Sequence, residues 1–141
     1  MTHSIHAGGC LCGAVRYQVT GPLRSVVLCH CTQCRRSTGH FMAATAARHC
    51  DFRLIEESQL RWYRSSDCAR RGFCGRCGST LFWQGGGRDY ISIAAGTLDG
   101  ATGLVSACHI FVADKGDYYS IDDGLPQSAD GSFSVAIPSP E

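Results

Sequence analysis

The chain has 141 residues, 44% hydrophobic and 18% charged, with a formal net charge of +1. That length fits one domain with a real core. The near-zero charge gives no field toward nucleic acid or an anionic membrane, and no apolar run approaches a membrane span.

The start, MTHSIHAGG, has no basic segment leading into an apolar one, so no secretory signal is expected and a cytoplasmic protein is. In AVRYQV (14–19), Val15, Tyr17 and Val19 alternate with Arg16 and Gln18, the period of a half-buried strand. SVVL (25–28) reads as a strand running into CHCTQC (29–34). TQCRRSTG (32–39) ends in glycine and suits a single helical turn. FMAATA (41–46) fits strand or helix by pattern, and its length favours strand. FRLI (52–55), LRWYRS (60–65), STLFWQ (79–84), DYISIAAGTL (89–98) and CHIFVAD (108–114) are rich in the aromatic and β-branched residues of strands. GGGRD, LDGATG and DKGD between them are turn chemistry. No segment carries a long apolar stripe of helical period. The expectation is an all-β domain of short antiparallel strands over residues 1–126. A small, polar, loosely held tail is expected over 127–141.

Ten cysteines are the unusual feature. Without an export signal their thiols are expected to stay reduced. They are also bunched as C-x-C, C-x-C-x-x-C and C-x-x-C, the spacing of ligands sharing one metal, zinc above all. Cys10 and Cys12 lie two apart in an extended segment and point the same way. Cys74 and Cys77 flank a tight turn in FCGRCGS, where Gly75 and Gly78 let the backbone curl. The two pairs together make a closed four-thiolate site. Cys29, Cys31 and Cys34 fill three places of a tetrahedron and leave the fourth for solvent or substrate, the pattern of catalytic zinc. By alternation His30 faces away from its cysteine neighbours. His40, Cys50, Cys68 or Cys108 could fold back to close the site; otherwise the three cysteines read as small buried residues. Arg35 and Arg36, next to Cys34, read as a solvated turn or as a guide for an anionic substrate.

GGCLCGAVRY (8–17), CHCTQCRRSTG (29–39), RGFCGRCGSTLFW (71–83), ISIAAGTLD (91–99) and HIFVADKGDYYSIDDGLP (109–126) occur in a known order. The chain resembles the glutathione-dependent formaldehyde-activating enzyme (GFA) family, which includes centromere protein V. The resemblance implies a compact β-tent fold and two zinc ions per chain. One is structural, on Cys10, Cys12, Cys74 and Cys77; the other is catalytic, on Cys29, Cys31 and Cys34. It further implies a reaction joining formaldehyde and glutathione into S-(hydroxymethyl)glutathione, a carbon–sulfur lyase reaction run in reverse. The expected partners are a small thiol such as glutathione and an aldehyde, with neither nucleic acid nor membrane. The chain departs from the family at Tyr118 and Tyr119, where tryptophan is frequent, and at Cys108. No catalytic residue beyond the zinc ligands is singled out; His40, His109 and a zinc-bound water are the candidates for a general acid. The rival reading is a non-catalytic module on the same scaffold, a thiol carrier or interaction domain.

Overall fold

The computed structural model describes residues 4–140. Two sheets share the core. The smaller joins β1 (Ile5–Gly9), β2 (Arg16–Thr20) and β5 (Phe52–Glu56) in the order β1-β2-β5. The larger takes β3 (Val26–Cys29), β4 (Met42–Arg48), β6 (Leu60–Ser66), β7 (Ala69–Cys74), β8 (Thr80–Gly85), β9 (Tyr90–Ala94) and β10 (Ser106–Ile110). Its order is β10-β3-β4-β9-β8-β7-β6. The all-β expectation therefore holds. One pairing departs from it: β10 runs parallel to β3, while every other neighbour is antiparallel.

The alternation in β2 does its work at the sheet interface. Tyr17 and Val19 are buried, while Arg16 and Gln18 lie at the margin. The Tyr17 ring stacks on Phe52 at 5.7 Å and meets the edge of Phe82 at 5.4 Å, linking the two sheets. β4 shows no alternation: Ala44, Thr45, Ala46 and Ala47 are all buried. A central strand of small residues can be covered on both faces, which is why its sequence pattern was ambiguous.

Two strands lie outside the sequence expectation. β1 is poor in β-formers, and Gly8 is required by close approach. A Cβ there would sit 2.5 Å from the Thr97 carbonyl and against the Tyr17 hydroxyl. β7 reads ARRGFC, too charged to suggest a buried strand, yet Arg71 and Gly72 are both buried in it. The helical turn expected after Cys31 is longer than one turn: α1 spans Thr32–Thr38, stopped by Gly39 in the left-handed region at φ 83°.

The segment after Pro126, expected to hang loosely, is tied to the domain. Ser128 N–H donates to the His109 carbonyl at 2.9 Å, and Phe111 N–H donates to the Asp130 carbonyl at 2.9 Å. Farther on, Arg48 Nη2 donates to the Pro138 carbonyl at 2.6 Å. Composition hid this because the ties run through backbone groups, which any residue supplies.

Candidate metal centres

The first cysteine cluster forms where the β1–β2 loop meets the end of β7. Cys10 N–H donates to the Val15 carbonyl at 3.1 Å, closing a tight loop that presents Cys10 and Cys12. Gly78 N–H donates to the Cys74 carbonyl at 2.8 Å, which curls the knuckle so that Cys74 and Cys77 converge. The four sulfurs all lie within 4.8 Å of one another. Cys10 and Cys12 sulfurs are 3.6 Å apart, and Cys12 and Cys74 sulfurs 3.8 Å. The edge of a zinc–thiolate tetrahedron is about 3.8 Å, from metal–sulfur bonds of about 2.3 Å, so the set fits such an ion. Backbone N–H groups support the sulfurs: Val15 donates to Cys10 at 3.2 Å, and Arg76 and Cys77 each donate to Cys74 at 3.4 Å. Hydrogen bonds from Ser79 draw the Cys77 thiol down to about 5.

The second cluster is local. Cys29 ends β3, Cys31 caps α1, and Cys34 sits in its first turn, with the three sulfurs within 4.8 Å of one another. Cys31 Sγ accepts from Cys34 N–H at 3.3 Å. Bonds from the Cys29 and Cys34 thiols pull Cys31 down to about 2, and the same bond pushes Cys29 up. The cluster thus already favours thiolate character at Cys31, as a metal requires.

His30 turns to the opposite side, as alternation requires. It is 1% exposed, and its Nε2 shares a 2.9 Å hydrogen bond with His109 Nδ1. His109 Nε2 pairs in turn with Asp123 Oδ2 at 2.7 Å, and His30 Nδ1 meets the Tyr119 hydroxyl. Burial, with His109 and His40 beside it, pushes His30 down to about 4. His40 lies outside, bonded to the Tyr118 hydroxyl at 2.9 Å. Among the described residues the structure brings no fourth metal-type ligand to this cluster. Cys108 is buried as read, but Cys50 and Cys68 are exposed: Cys50 sits in the 3-10 helix His49–Asp51 after β4, and Cys68 in the turn between β6 and β7.

A cavity of about 960 Å³ opens on Cys29, Cys31 and Cys34. Arg35 and Arg36 do not line it. Four other arginines do, namely Arg24, Arg48, Arg71 and Arg88, against two aspartates, Asp89 and Asp114. These arginines come from β4, β7 and two separate loops, so no local sequence signal unites them; each alone resembles a solvated charge. Trp83 with Phe133, Val135, Ala136 and Ile137 of the C-terminal segment supplies an apolar wall. Arg71 is 9% exposed, and its Nη2 lies 3.5 Å from Cys34 Sγ.

The GFA family model, glutathione-dependent formaldehyde-activating enzyme, matches residues 5–114. The chain belongs to this family. A curated relative named as an uncharacterized lyase, from Schizosaccharomyces pombe, is 28% identical over 116 residues, covering 81% of this chain and 83% of its own. A crystal structure of a Rhodobacter sphaeroides protein is similar with a TM-score of 0.57 at 27% identity, covering 71% of this chain and 97% of its own. The family model ends at residue 114, so the wall formed by residues 133–137 lies beyond it. No helix among the described residues is long and apolar enough to cross a membrane.

Proposed function

We propose that this GFA-family chain is a zinc-dependent enzyme of the carbon–sulfur lyase type, acting on an adduct of glutathione or a related thiol with formaldehyde or another small aldehyde. The contrast between the clusters carries the reading. Four sulfurs surround one position, whereas three sulfurs face an arginine-lined cavity. In this division Cys10, Cys12, Cys74 and Cys77 hold a structural ion, and Cys29, Cys31 and Cys34 hold the one at the reacting centre. Bound there, zinc supplies the Lewis acidity that makes a substrate thiol give up its proton.

The chain's own residues do the rest. Arg24 and Arg88 offer cationic donors to carboxylates of a thiol lodged in the cavity, whereas Arg48 is already paired with Asp51 at 3.4 Å. Arg88 is exposed, with its guanidinium 6.0 Å over the Trp83 ring and 5.9 Å over the Tyr90 ring at the cavity mouth. Trp83 and residues 133–137 give the same cavity apolar surface for the rest of such a ligand. The attack joins the thiol sulfur to the aldehyde carbon, and the carbonyl oxygen takes up a proton to give the hydroxymethyl thioether.

The test mixes the zinc-loaded protein with glutathione and ¹³C-formaldehyde and follows adduct formation by NMR exchange spectroscopy. Exchange well above the spontaneous rate, lost in Cys31→Ser, is the expected result. Stoichiometric thiol binding without faster exchange would make the chain a carrier.

A further inference from the structure

Arg71 is a buried cation without an acid. Its Nη1 faces Met42 Sδ at 3.9 Å, its Nη2 faces Gln33 Oε1 and Cys34 Sγ at 3.5 Å each, and its Nε is buried with no partner. None of the ion pairs among the described residues includes it. A guanidinium cannot escape burial by losing its proton. A charge held this way is strongly unfavourable unless an anion offsets it. Arg24, also at the cavity, differs: it donates to the Ala44 carbonyl at 2.8 Å and the Ser25 carbonyl at 3.3 Å. For Arg71 the neighbouring anion is the three-cysteine cluster itself.

We propose that Arg71 is the counter-charge of that cluster and sets it to accept an anionic fourth ligand. The inference rests on the metal reading above and goes beyond it. A divalent ion on three thiolates carries a formal −1. With Arg71 beside it the assembly is neutral, and capture of a substrate thiolate takes it to −1 rather than −2. Arg71 acts through Cys34 and the local field, so it is a positioning residue. Its signature is selectivity by charge: anionic ligands should need it and neutral ligands should not.

The test uses cobalt-loaded protein at fixed pH and reads ligand binding from the sulfur-to-cobalt absorption. The probes are 2-mercaptoethanol, which binds as a thiolate but has no carboxylate to seek the other arginines, and imidazole, which binds neutral. Arg71→Met should weaken the thiol about tenfold or more, from loss of a unit charge a few ångströms away. Imidazole should bind with unchanged or greater affinity. Arg71→Lys, which keeps the charge, should retain the parental preference within about threefold. Equal loss of both probes in Arg71→Met, or no change in either, overturns the proposal. If Arg71→Met does not fold, Arg71→Lys decides: collapse of its thiol preference while it is folded and loaded overturns the proposal. Failure of the parent to bind cobalt at Cys29, Cys31 and Cys34, judged against Cys31→Ser, would instead refute the metal reading. Cobalt and thiol binding by the parent with an indifferent Arg71→Met would remove the counter-charge alone.

Discussion

Tyr17 is 1% exposed, and its hydroxyl lies 2.7 Å from Thr97 Oγ1. Thr97 Oγ1 spends its own proton on the Ala94 carbonyl at 2.7 Å, so the phenol donates and must stay protonated. Burial accordingly pushes its pKa up to about 12, from an ordinary value of 10.0. The unfolded chain then loses this proton first as pH rises. The stability that Tyr17 contributes is fully present below pH 10 and is lost as pH climbs through about 12. Tyr17→Phe should cost about 1 kcal/mol at neutral pH, the usual worth of one hydrogen bond. It should also flatten the alkaline fall in stability. Thermal melts of both proteins between pH 8 and 11 check this, and parallel curves would mean that other groups govern alkaline unfolding.

The elements differ in how plainly the sequence announces them. β2, β6 and β9 are legible from alternation and β-branched or aromatic residues: β2 buries one face, β9 buries both at its centre, and β6 half-buries Leu60 and Trp62 on one side. β1 is not, because Gly8 is chosen for the space that Tyr17 and Thr97 leave, a tertiary constraint without local periodicity. β7 is not, because Arg71 stands inside for its charge. The C-terminal segment reads as a tail, yet it has two parts. Gln127–Asp130 is hydrogen-bonded beside β10, whereas 133–137 lies against the cavity with Val135 and Ile137 half-buried. Removing residues 133–141 should therefore leave the fold, lowering the melting temperature by no more than about 4 °C. Glutathione binding should weaken several-fold as the apolar wall goes. Calorimetric titration and a melt of the truncated chain check both; an unchanged affinity would reduce the segment to packing.

Across the whole molecule, the two cysteine groups that the structure brings together are legible from spacing, because short-range sequence largely fixes C-x-C and C-x-x-C geometry. The cavity was not legible, because its four arginines meet only after the strands pair. The two clusters also differ in span. Cys12 and Cys74 are 62 residues apart, so an ion there joins the N-terminal hairpin to β7. Structural zinc binding is worth about 10–16 kcal/mol, against a typical net stability of about 5–15 kcal/mol. Weakening that site is therefore a loss on the scale of the whole fold. The Cys29–Cys34 loop is already held by β3 and by the Cys31 cap on α1, so an ion there adds little long-range order. On the proposed division, Cys74→Ser should be largely insoluble or melt far below the parent. Cys31→Ser should keep a melting temperature near that of the parent, hold one zinc instead of two, and lose thiol-dependent exchange. Melts and zinc counts measured side by side decide it: if Cys31→Ser unfolds as readily as Cys74→Ser, the second ion is structural as well and the enzyme reading loses its main support.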